Sequence, residues 1–164
     1  MTKIIPASTK ENYQIIADLA KIIWTEHYTP IIGEKQVTYM LNKFQSVSSI
    51  EHQIESDVKY YLLINRDTPV GYFSYNLKND SLFLSKLYVL NAARGKGIGK
   101  SALSFLGIQA KELGLKKIQL TVNKYNTNSI NAYQKMGFVN IKAIVQDIGE
   151  GYIMDDFVLE KIID

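Results

Sequence analysis

The chain has no cysteine. Disulfides, thiolate metal sites and cysteine nucleophiles are therefore excluded. It has no apolar run long enough to span a bilayer, and its first residues, "MTKIIPASTKENYQ", lack an apolar signal core. That reading places the protein in the cytoplasm, with no membrane partner. Internal repeats, low-complexity tracts and linkers are also missing, which favours one domain over residues 1–164. Acids are nearly missing from one long stretch. Between Ser81 and Gln146 the single acid is Glu112, against Lys86, Arg94, Lys96, Lys100, Lys111, Lys116, Lys117, Lys124, Lys135 and Lys142. Such a segment suits a polyanionic ligand. A lysine-rich solvated surface would look the same, so charge alone does not choose.

What is present is ordinary for a globular protein. The 164 residues are 46% hydrophobic and 21% charged, with a net charge of +3. A chain of this size buries roughly 68–70% of its unfolded surface, enough for a real core. "KIIPAS" reads as an opening strand, and Ser8 or Thr9 can cap a helix running to about His27, where "YTPIIG" breaks it. Further helices are expected over 34–44 and 49–56. "VKYYLLIN", "PVGYFSYNL" and "SLFLSKLYVL" read as strands of an antiparallel meander, joined at "RDT" and "KND". A helix from Gly97 to Leu113 follows, with Ile98, Ala102, Phe105, Leu106, Ala110 and Leu113 on its apolar face and Gly114 ending it. Next come the strand "KKIQLTV" and a helix over "NTNSINAYQKM", capped by Asn126 or Asn128 and closed by Gly137. Two strands that turn at "GEG" finish the chain. The strand–helix–strand unit implies a parallel pair inside an otherwise antiparallel sheet.

The stretch "ARGKGIGK", residues 93–100, sits between a strand and a helix. The first N–H groups of that helix have no internal partners, and its dipole favours negative charge. Glycines at 95, 97 and 99 admit close approach of an oxygen, while Arg94, Lys96 and Lys100 add charge. Alone, the pattern would mark a tight turn with solvated lysines; the elements on either side favour the anion site. The spacing fits neither the nucleoside-triphosphate loop nor the dinucleotide fingerprint, where Lys100 stands at the third glycine.

The pattern it does fit is R/Q-x-x-G-x-G, as Arg94, Gly97 and Gly99. With "KLYVLNAARGKGIGKSAL" and a second signature in "NTNSINAYQKMGF", where Asn126, Tyr133, Gly137 and Phe138 fall at matching spacing, the sequence resembles the GNAT superfamily of N-acetyltransferases. Ser129 stands where alanine is common. The order of the other elements extends the resemblance over almost the whole chain. It implies an α/β fold with a mixed, mostly antiparallel sheet of six to seven strands, a central splayed parallel pair and about four helices. It implies acetyl-CoA as co-substrate and no metal.

The resemblance also implies roles. The pyrophosphate would lie on Arg94, Gly95, Lys96, Gly97, Ile98, Gly99 and Lys100. The pantetheine arm would run along backbone groups of Leu87, Tyr88 and Val89. Asn126, Ser129 and Lys135 would contact the cofactor, and Tyr133 would sit beside its sulfur as general acid. A phenol with an ordinary pKa of about 10 is protonated at neutral pH and can donate to a leaving thiolate. The spacing of Ile130, Tyr133 and Met136 would equally suit the apolar face of a helix. Many relatives carry a glutamate base two positions before the Leu-Tyr-Val segment; here Ser85 stands there and Lys86 follows. Neither is a convincing base. The base could be absent, with water wires removing the proton, or Glu26 or His27 could serve from the end of the first helix, with Tyr28 lining an acceptor pocket. The acceptor would be a small amine or polyamine; acids such as Glu51, Glu55, Asp155 and Asp156, if they line it, would favour cationic amines. A non-catalytic acyl-CoA sensor or scaffold is the competing reading. Nucleic acid is not expected as a partner, since no reader motif is present, and a homodimer remains open.

Overall fold

A computed structural model describes residues 2–163. Its strands, numbered β1 to β7 in chain order, lie in one sheet in the order β1-β2-β3-β4-β5-β7-β6. The chain divides into two compact units. One holds β1, the first three helices, β2, most of β3 and Lys86–Ser104; the other holds Leu77–Ser85 and the chain from Phe105 onward.

In the first unit β1 (Thr2–Pro6) pairs antiparallel with β2 (Lys59–Asn65), which pairs antiparallel with β3 (Thr68–Lys78). Arg66 and Asp67, both at positive φ (51° and 63°), make the tight turn between β2 and β3. Helix α1 (Lys10–Ile32) starts at a capping box: Thr9 accepts from Asn12 N–H while the Asn12 side chain bonds back to Thr9. Ile16, Ala20, Ile23 and Trp24 fall on one stripe and are buried. Each large side chain of this kind contributes roughly 1.5–3 kcal/mol when fully buried.

The helix does not stop near His27 as expected. It runs on through Pro30 to Ile32. Proline there lies within the last turn, so the N–H it lacks is among the last the helix would use. The stop is Gly33, at φ 86°, whose N–H bonds the Thr29 carbonyl and which also begins α2 (Glu34–Phe44). Helix α3 (Val47–Glu55) follows, capped by Ser46.

In the second unit the first part of β4 (Ser81–Val89) pairs parallel with β5 (Lys117–Asn123) from Ser81↔Lys117 to Leu84↔Leu120. Strand β5 pairs antiparallel with β7 (Tyr152–Ile162), and β7 with β6 (Val139–Gly149). Helix α4 (Ile98–Glu112) spans the division between the units. Ile98, Ala102, Leu106 and Ala110 are buried as expected. Leu113 is half-exposed instead, because it lies past the last helical residue, and Leu103 is buried in the apolar stripe. Helix α5 (Thr127–Lys135) is capped by Asn126 and not by Asn128. A 3₁₀ turn at Asn91–Ala93 was not anticipated.

One carboxyl in this unit is unusual. Asp156 on β7 is 2% exposed, and its Oδ2 has no hydrogen-bond partner. Burial, with the Asp155 charge beside it, pushes its pKa up to about 6, and Lys124 only partly opposes this. The folded state therefore holds a proton that the unfolded chain releases near the usual carboxylate value. The associated stability is full below that value and is lost as pH rises through about 6. Asp156→Asn should raise the melting temperature at pH 7–8, by an amount equivalent to about 1–2 kcal/mol after allowance for residual solvation. The gain should vanish towards pH 4. Thermal melts of both proteins across that range check it.

Candidate active site

The loop after β4 has the local geometry of an anion site. Gly95 and Gly97 have φ of 78° and 76°, which a residue with a Cβ adopts only under strain. No heavy atom lies within 4 Å of a Cβ built on Gly95, Gly97 or Gly99, so the backbone can be approached there. Ile98 is 3% exposed, so only its backbone can serve a ligand. Lys96 and Lys100 are exposed, with no carboxylate in ion-pairing range among the described residues. Other cations of the basic segment are already used: Lys117 lies 3.3 Å from Glu160, and Lys124 lies 2.7 Å from Asp155. The Arg94 side chain folds back, its Nε donating to the Val89 carbonyl at 3.3 Å. The Ser101 hydroxyl donates to the Gly97 carbonyl at 3.0 Å, closing the joint between loop and helix.

Leu87, Tyr88 and Val89 lie on β4 just before this loop. Their path is fixed by Gly71 of β3. A Cβ at residue 71 would overlap the Tyr88 carbonyl oxygen and sit 3.1 Å from the Val89 Cα. The Leu90 N–H then donates to the Val70 carbonyl at 2.8 Å. The β4–β5 ladder ends at Leu84↔Leu120, while β4 continues to Val89 and β5 to Asn123. Sequence reading missed Gly71, since glycine within a strand signals close approach without naming its neighbour.

The end of α1 packs on the same strand. Tyr28 and Tyr88 hydroxyls are 3.1 Å apart, and the Trp24 ring lies edge-on to both. The His27 ring is 4.9 Å from Tyr28, part-buried, whereas Glu26 is exposed. Of the acids proposed for an acceptor side, Asp155 is ion-paired, Asp156 is buried, and Glu51 and Glu55 line a surface cavity of about 630 Å³ with Lys10 and His52.

In the second unit Asn126 is 5% exposed and accepts from the Ser129 N–H at 3.4 Å, so capping occupies its oxygen. Tyr133 is part-buried, edge-on to Phe138 with centroids 5.5 Å apart. No residue of α5 is fully buried, which disfavours a core role for the Ile130–Tyr133–Met136 stripe. Lys135 is exposed.

The family model of the GNAT acetyltransferases matches residues 16–138. The chain belongs to the GNAT family. Among relatives of this GNAT chain, a streptothricin acetyltransferase of Streptomyces lavendulae is 30% identical over 87 residues, 51% of this chain and 46% of the relative. The matched region spans less than half the length of the curated relatives. Among solved structures, the PaiA N-acetyltransferase of Thermoplasma acidophilum in complex with coenzyme A superposes with a TM-score of 0.80 at 22% identity, covering 99% of both chains. The ribosomal-protein-S18-alanine N-acetyltransferase of Escherichia coli gives 0.73 at 13% identity, over 100% of this chain and 95% of that one. At these identities the likenesses show the fold alone, and it is the GNAT fold.

Gly71→Ala should force β3 and β4 apart at Tyr88 and destabilise the protein by about 1–3 kcal/mol. Denaturant melts should show the loss, and amide spectra should shift most at Tyr88–Leu90.

Proposed function

We propose that the protein is an acetyl-CoA-dependent N-acetyltransferase, a single domain over residues 1–164, that acts on a primary amine of a small molecule or polyamine. One observation carries this reading: an open loop with two left-handed glycines leads into the first turn of α4, beside Lys96 and Lys100, which no carboxylate among the described residues neutralises. That arrangement suits a pyrophosphate. Acetyl-CoA would supply the thioester. Arg94, Lys96 and Lys100 would hold charge, and the N–H groups from Gly95 to Gly99 would hold phosphate oxygens. Backbone groups of Leu87–Val89 would align the acyl arm and polarise its carbonyl. Asn126, Ser129 and Lys135 would add contacts from α5.

Amine attack needs a free lone pair, and the departing thiolate gains from a proton. Tyr133 would supply that proton as general acid. Family membership and the part-buried position of its ring support this assignment. Tyr28, with Glu26 and His27 near it on α1, would border the acceptor amine. A CoA sensor without turnover is the outcome the experiments below separate.

Gly97→Val should weaken CoA binding by roughly tenfold or more, because one lost phosphate contact of about 1.4 kcal/mol suffices. Calorimetric titration with CoA checks it, and unchanged affinity counts against the loop. Tyr133→Phe keeps the ring and should leave the CoA Kd nearly unchanged while kcat falls roughly 10²–10⁴-fold. Single-turnover acetyl transfer over an amine panel reads this directly. Normal rates in the folded variant remove Tyr133 from the chemistry, and a wild-type protein that binds CoA but releases no thiol is a sensor.

A further inference from the structure

Lys86 is an ammonium in poor company. It lies on β4 one residue before Leu87–Val89 and is partly buried. Its one hydrogen-bond partner among the described residues is Gln53 Oε1 at 3.4 Å, and that oxygen already accepts the Tyr60 hydroxyl at 2.7 Å. The Tyr60 ring lies 5.7 Å from its Nζ. Among the described residues no carboxylate comes within 4 Å of it. A desolvated cation without a counter-ion sheds its proton easily or recruits an anion.

The surroundings are uncharged. Gln53 comes from α3, Tyr60 from β2 and, through Gln45, Tyr72 from β3. The Gln45 amide donates to Tyr60 at 3.0 Å and its oxygen accepts from Tyr72 at 2.5 Å. Tyr88 follows on the same face of β4. Burial pushes Tyr60 up to about 12 and Tyr72 well above its ordinary value, so both phenols stay protonated. Burial also draws Lys86 down to about 8. The carboxylates of α3, Glu51 and Glu55, line the surface cavity instead.

We propose that Lys86, in its neutral form, is the base that deprotonates the acceptor amine. This rests on the acetyl-transfer reading above. Nζ takes a proton from the acceptor ammonium. The freed nitrogen lone pair forms the new bond to the thioester carbonyl carbon, the carbon–sulfur bond breaks, and the thiolate receives the Tyr133 proton. The extra proton on the new amide nitrogen returns to the phenolate, and Lys86 releases its own to solvent. Lys86 shares its face of β4 with Tyr88, whose hydroxyl meets that of Tyr28, and not with Ser85.

The test uses Lys86→Met and Lys86→Arg beside the wild type. Methionine fills the space without charge and should fold as well or better; melting curves confirm this. In the ligand-free protein, NMR titration of lysine side chains should show one group titrating near pH 8 that disappears in Lys86→Met. For wild type, kcat/KM should rise to a plateau with an inflection near the same pH. Both variants should lose that inflection and fall roughly 10²-fold or more in kcat. Arginine cannot give up its proton, so rescue by Lys86→Arg would make the residue an anion anchor and overturn the proposal. Wild-type profiles in Lys86→Met, or lysines that all titrate near 10.4, would overturn it too, with the acetyl-transfer reading intact. Absence of thiol release by the wild type on every amine would overturn both.

Discussion

Where β3 meets β4, the Tyr88 carbonyl oxygen occupies the space that any side chain at residue 71 would need. This exclusion fixes much else. With Gly71 bare, β4 comes close enough for Leu90 to bond Val70, and the chain enters the 3₁₀ turn and the glycine loop from a set position. Arg94 then ties the start of that loop back to Val89. The Tyr88 side chain is held among Trp24, Tyr28 and Tyr72, so one missing methyl group determines both a backbone path and an aromatic cluster.

Two kinds of cation share the basic segment. Lys117 and Lys124 are matched to Glu160 and Asp155 and act as struts between strands. Lys96 and Lys100 have no acidic match among the described residues and flank open backbone. Formal charge counted along the chain merges the two kinds. Their separation comes from β-register, which sets acids of β7 opposite β5 and leaves the loop facing solvent.

Local signals were readable in advance: alternation in β5, the Thr9 cap, the glycines that end helices, and the spacing of Arg94, Gly97 and Gly99. Each depends on neighbours a few residues away. The readings that failed depended on more. Pro30 reads as a break because a proline's cost alone says nothing of its distance from the helix end. Leu113 was counted on a helical face one residue beyond the helix. The place of Gly71 requires knowing which carbonyl of β4 faces it. The surroundings of Lys86 are not legible in sequence either, because they are assembled from α3, β2 and β3, far apart along the chain. Tyr133 needed the opposite information: α5 buries none of its residues fully, which periodicity alone does not reveal.

The sheet's two margins differ. Strand β1 is five residues long, carries Lys3 and closes on Pro6, which has no N–H to offer. Strand β6 is eleven residues long, and exposes Val139, Ile141 and Val145, although its register shifts at Asn140/Lys142 and Asp147/Gly149. Strand addition therefore has one inviting margin and one blunt one. Copies that met through β6 would form a closed two-fold pair and stop, whereas an open filament would need β1 as well. The short proline-ended first strand thus offers strand addition a poorer edge than β6 does.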